Sequence, residues 1–99
     1  MNDTQTAIKN QVCNALKNIN YVDKAYLFGS YARGEETPTS DVDIMVELNR
    51  EMGLDFFELF EVFEKALDKK VDVLTRNEVY DIMPKSFERD KILLYERKI

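Results

Sequence analysis

The chain has 99 residues, 44% hydrophobic and 11% aromatic, enough for one small packed core and too few for a second. A formal charge of −5 argues against broad electrostatic capture of nucleic acid, and the absence of histidine removes Ser-His-Asp chemistry and His-ligated zinc from consideration. The single cysteine, Cys13, allows no internal disulfide and fits a reducing compartment. No apolar run approaches a membrane span and the N-terminus does not read as a signal peptide, so a cytoplasmic location is expected.

Apolar residues recur at helical spacing from residue 7 to 19, through Ile8, Val12, Ala15, Leu16 and Ile19, with Thr4 or Thr6 as the expected cap. Cys13 sits beside this face and reads as a packing residue. "KAYLFG", Lys24 to Gly29, predicts a strand stopped by glycine. "DVDIMVEL", Asp41 to Leu48, predicts a second, with Val42, Ile44, Val46 and Leu48 on one side and Asp41, Asp43, Met45 and Glu47 on the other. The stripe Phe56, Leu59, Phe60, Phe63 and Leu67 predicts a helix started by Asp55, with Glu58 completing a capping box. Phe57 and Val62 lie off that stripe and are candidates for contact with a partner. "KVDVLT", Lys70 to Thr75, predicts a third strand, residues 77 to 91 a helix interrupted by Pro84, and "KILLYE" a final short strand. The expected class is α/β (α+β): one domain over residues 1–99, with a small mixed sheet and helices packed on one face.

Alternate residues of a strand point the same way, so Asp41 and Asp43 project together. Two carboxylates so close repel each other unless a cation neutralises them, and magnesium prefers oxygen ligands while keeping positions for water and phosphate. Asp72, between valines on another predicted strand, can join them if the two strands are adjacent. Three carboxylates around one or two metal ions suit phosphoryl or nucleotidyl transfer, in which two metals can serve both the attacking and the leaving oxygen. Gly29 lets a backbone approach closely. The amides after it, the Ser30 hydroxyl and the Arg33 guanidinium are candidate holders of a triphosphate. Each feature alone is commonplace: a Gly-Ser pair is usually a turn, and a lone Asp-x-Asp is usually a solvated strand end.

Together they resemble a known signature. "GSYARGEETPTSDVDI" is similar to the motif of the minimal nucleotidyltransferases, within the DNA polymerase β-like superfamily. Gly29 and Ser30 match its Gly-Ser pair, residues 31–40 its ten-residue spacer and Asp41 and Asp43 its Asp-x-Asp, while Ala32, Arg33, Gly34 and Ser40 match the longer form. The resemblance implies a polymerase β-like nucleotidyltransferase fold. It also implies Mg²⁺, two ions, at Asp41, Asp43 and Asp72, and ATP as substrate with its phosphates held at Gly29 and Ser30. Asp72 would help activate the incoming hydroxyl. Tyr31, inside the motif, reads chiefly as a packing residue.

Larger relatives carry extra domains that hold the acceptor, and this chain is too short for one. The resemblance therefore implies that the acceptor surface comes from elsewhere, as in antitoxins that transfer AMP from ATP to a tyrosine of a helical HEPN-type toxin. Two alternatives stand beside it: neutralisation of the partner by binding alone, and nucleotidyl transfer to a small molecule such as an antibiotic. Neither nucleic acid nor membrane is an expected partner.

Overall fold

The structure is a computed structural model and describes residues 1–98; Ile99, the last residue of the expected domain, lies outside them. Four strands, β1 (Val22–Phe28), β2 (Val42–Leu48), β3 (Val71–Thr75) and β4 (Ile92–Glu96), form a mixed sheet in the order β3-β2-β1-β4. β1 runs antiparallel to both β2 and β4, whereas β2 and β3 are parallel. The parallel pair needs a crossover, which α3 (Glu58–Leu67) supplies after a 3₁₀ turn at Leu54–Phe57.

One sheet face is closed by α1 (Asp3–Leu16) and α3. Ile8, Val12 and Leu16 of α1 and Leu59, Phe63 and Leu67 of α3 pack on Ala25, Leu27, Val42, Ile44, Val46, Val71 and Val73. The helical stripes and the strand alternation thus meet in one core, as the spacing predicts.

The expectation of helices on one face holds for α1 and α3 and needs widening for the tail. α4 (Arg76–Ile82) and α5 (Pro84–Asp90) send Val79 and Phe87 onto Phe28 and Met45 of the opposite face. Met45 is only 1% exposed, so the side shared with the acids is not a solvated one. Strands with apolar residues on both faces require cover on both.

Local chemistry corrects several expected boundaries. α1 starts at Asp3 because Asn2, not Thr4 or Thr6, caps it: Gln5 N donates to Asn2 Oδ1 at 2.8 Å and Asn2 N donates to Gln5 Oε1 at 2.9 Å. Asp55 is not a cap. It lies inside the 3₁₀ turn, and Arg50 Nη2 donates to its carboxylate at 3.4 Å. Pro84 does break the tail, at Met83, and becomes the first residue of α5, where a missing N–H costs nothing. The start of α4 carries a full capping box between Thr75 and Glu78. Cys13 is half-buried, its thiol donating to the Leu94 carbonyl at 2.9 Å.

Candidate functional site

The site begins where β1 ends. Gly29 adopts φ +72°, in the left-handed region that glycine alone enters without strain, and so turns the chain directly into α2 (Gly29–Arg33). The Gly-Ser pair is therefore the first turn of a short helix rather than a bare loop. A Cβ on Gly29 would stand 2.1 Å from Asp43 Oδ2, so the carboxylate is packed against the glycine backbone itself. Gly34, at φ +71°, ends the helix.

α2 is also held from outside. Gln5, the one buried polar residue among those described, donates from Nε2 to the Tyr31 carbonyl at 2.9 Å and the Ala32 carbonyl at 3.0 Å. These carbonyls lie in the last turn of α2, where helix oxygens run short of partners; the Tyr31 carbonyl also accepts from Gly34 N at 3.3 Å. Tyr31, 8% exposed, packs into the main core and is too enclosed to present its ring to a ligand. The helical reading that began at residue 7 missed Gln5, although Asn2 followed three residues later by Gln is itself a capping-box signal.

β2 and β3 bring the distant acids together. Their parallel register sets Asp43 opposite Asp72, and both line a cavity of about 150 Å³ with Gly29, Arg33 and Asp90. Asp43 is half-buried and Asp72 exposed. Asp41 lies one residue before β2, exposed and outside the cavity wall, but close enough for its charge to act on Asp43. Burial first, then the charges of Asp72 and Asp41, push the Asp43 carboxyl up to about 6, and Arg33 opposes them weakly. Ser30 sits half-buried in α2, also outside the cavity wall.

Arg33 is engaged. Its Nε donates to Glu35 at 2.8 Å and its Nη1 to Asp90 at 3.1 Å, and these bonds, Glu35 first, raise its pKa above the ordinary arginine value. Asp90, unremarked in the sequence, completes this wall of the cavity. A larger cavity of about 640 Å³ lies at the far end of β2 and β3, around Arg50, Phe56, Phe57 and Arg76, and holds none of the three acids.

The donor set favours one kind of ion. Asp43 and Asp72 offer oxygen only, and their mutual repulsion is what a cation would relieve. Among the described residues no three acidic, His or Cys side chains converge closely enough to cage an ion alone. An oxygen-only pair fits magnesium, which keeps waters and substrate phosphates in its remaining positions, better than a structural zinc centre of cysteine and histidine ligands. Among the described residues no helix is long and apolar enough to cross a membrane.

Comparison with known proteins agrees with this geometry. The protein of Methanocaldococcus jannaschii named Putative protein adenylyltransferase MJ1379 is 44% identical over 81 residues, covering 78% of this chain and 81% of its own. Protein adenylyltransferase MntA of Thermococcus cleftensis is 36% identical over 67 residues, 67% of this chain and 68% of its own. The fold is similar to that in a crystal structure of a toxin–antitoxin with AMP-PNP, with a TM-score of 0.74 and 26% identity over 91% of this chain and 74% of that one. Residues 9–99 match the nucleotidyltransferase domain, and with Asp43, Asp72 and Gly29 gathered at one cavity, the chain belongs to that family and is a nucleotidyltransferase.

Proposed function

We propose that the chain is a magnesium-dependent protein adenylyltransferase of the cytoplasm. It transfers AMP from ATP to a tyrosine of a helical HEPN-type toxin and so acts as its antitoxin. The observation that carries this reading is the register pair Asp43–Asp72 set against the turn at Gly29, the arrangement a triphosphate and its metal require. Relationship supports a protein acceptor: relatives over two thirds of the chain are named protein adenylyltransferases, and a similar structure with AMP-PNP is a toxin–antitoxin.

The bonds balance simply. The phenol oxygen of the acceptor attacks the α-phosphorus of ATP, the bond from that phosphorus to the β-bridging oxygen breaks, and pyrophosphate leaves. Backbone amides at Gly29 and Ser30 hold the β- and γ-phosphates, and Arg33 reaches the same side. Asp41 and Asp43, with Asp72, would hold magnesium, which when bound supplies positive charge for the acids and for the leaving pyrophosphate. Asp72 is exposed, so it meets an acceptor arriving from solvent and receives the phenol proton. The net charge of −5 disfavours nucleic acid as that acceptor.

Incubation of the chain with α-labelled ATP, Mg²⁺ and the toxin should label the toxin, and Asp43→Asn should abolish the label. Folded, purified components that give no label would refute the reading. One observation favours a second reading, neutralisation by contact alone. Leu54 is 86% and Phe57 60% exposed on the 3₁₀ turn, a bare apolar surface away from the acids. Val62, by contrast, packs against the core and is not part of it. If Asp41→Asn with Asp43→Asn still neutralises the toxin in full, contact suffices. Nucleotidyl transfer to a small molecule has no observation of its own in its favour.

A further inference from the structure

Arg33 is the cation on the wall of the nucleotide cavity, and what fixes its guanidinium lies 57 residues away in sequence. Asp90 ends α5, with its side chain only 7% exposed. Its Oδ1 accepts from Arg89 Nε at 2.8 Å, and its Oδ2 accepts from Arg89 Nη2 at 3.0 Å and Arg33 Nη1 at 3.1 Å. A carboxylate in the last turn of a helix faces the negative end of the helix dipole, the wrong end for its charge. Helix stability therefore gives no reason for an acid there. The two guanidiniums do, Arg89 foremost, and they hold the Asp90 carboxyl down at about 2.

The partners of Arg33 are unequal. Glu35 is 67% exposed, so that contact is screened by water and free to exchange, whereas the Asp90 side chain is the less exposed of the two partners and lines the same cavity as Gly29, Asp43 and Asp72. The backbone of Arg33 is held through α2 by Gln5, from α1. Its guanidinium is held by Asp90, from α5. An incoming phosphate can replace Glu35 and leave Asp90 in place, so the arginine stays pinned while it changes partner.

We propose that Asp90 is a positioning residue for nucleotide binding: it pins the Arg33 guanidinium at the cavity wall so that the cation is in place for the triphosphate before it arrives. The inference rests on the nucleotide reading given above. It makes a counter-intuitive prediction, because removing a negative charge near a phosphate site should ordinarily tighten binding.

The test measures the affinity of the full chain for a non-hydrolysable ATP analogue with Mg²⁺, alongside thermal stability. Asp90→Asn should weaken affinity by roughly 5- to 30-fold, the worth of one or two kcal/mol. Glu35→Gln should not weaken it. Arg33→Gln should lose a similar factor, and adding Asp90→Asn to Arg33→Gln should lose nothing further. In turnover, KM for ATP should rise while kcat changes by less than about threefold, since pre-placement acts on binding. Unchanged or tighter binding by Asp90→Asn, or losses that multiply in the double variant, would overturn the proposal. If Asp90→Asn does not fold, Arg33→Gln decides alone, because it leaves Asp90 paired with Arg89; unchanged affinity there overturns the proposal. A wild-type chain that binds no analogue overturns the nucleotide reading and the proposal with it, whereas a wild-type chain that binds beside an unaffected Asp90→Asn overturns only the proposal.

Discussion

Gly29→Ala tests the close approach on which the site is built. The change adds one methyl group to a residue at φ +72°, and that methyl would lie 2.1 Å from Asp43 Oδ2 and 3.1 Å from its Cγ. Alanine in the left-handed conformation costs about 1–2 kcal/mol before any clash is counted. Ordinary contact begins at 3.4 Å, so the carboxylate must retreat by about 1.3 Å (3.4 minus 2.1) or β1 and β2 must part. A reacting group misplaced by about 1 Å costs on the order of 100-fold in rate, so AMP transfer should fall by that factor. The backbone cost alone should lower the melting temperature by roughly 5–15 °C in a chain of this size. The two parts can be separated. With Asp43→Ala the nearest remaining atom is its Cβ at 3.4 Å, an ordinary contact, so Gly29→Ala should then cost only the backbone strain. A coupling of about 1 kcal/mol between the two changes is expected, read by thermal denaturation of the four proteins of the cycle. Purely additive costs, or a Gly29→Ala enzyme within tenfold of the parent rate, would refute the argument that this glycine seats Asp43.

Asp43 should also oppose folding when no metal is present. Its carboxyl rises from 3.8 to about 6, so the folded chain binds this proton more tightly than the unfolded chain. Stability from this group is thus full below about pH 4, is lost as pH rises toward 6, and is flat above it. The full shift would correspond to about 3 kcal/mol, which screening at a half-exposed group reduces to about 1 kcal/mol. In EDTA, Asp43→Asn should remove that part of the pH slope and melt about 4–8 °C higher at pH 7 while losing activity; an unchanged slope would count against the repulsion. Mg²⁺ at about 100 times its dissociation constant should stabilise the wild type by about 2.7 kcal/mol and do far less for Asp43→Asn. Equal shifts in the two proteins would place the ion elsewhere. Gln5→Leu should strand the Ala32 carbonyl, since the Tyr31 carbonyl keeps its bond from Gly34 N, and cost about 1–3 kcal/mol in denaturant unfolding. A smaller loss would mean that water replaces the amide.

What the sequence made legible, and what it did not, follows from how far each interaction reaches along the chain. Strand alternation put Asp43 on the side of β2 that lines the cavity, and the valines around Asp72 marked its strand. Asp41, expected to project with Asp43, instead falls one residue before β2 and outside the cavity wall. Nothing local linked Asp90 to Arg33, because that contact exists only once α5 has folded back over the sheet. Asp55 failed as a cap since a 3₁₀ turn, tighter than the α-helix the stripe implied, takes up residues 54–57 first. Met45 was the missed clue to the second layer. It stands between acids by alternation, yet Tyr26, Phe28 and Leu74 are also apolar on that side, more than a solvated face needs. Their cover decides where chemistry is possible. Val79 and Phe87 close the sheet over Met45, and α5 stops at Asp90, leaving Asp43 and Asp72 at the edge of the cover. An acid one pair further under that cover would lose water, and one pair further out would lose the low dielectric that raises the Asp43 carboxyl. The motif supplies the carboxylates, but the last helix, through its length and its terminal acid, sets how deep they lie and what cation faces them.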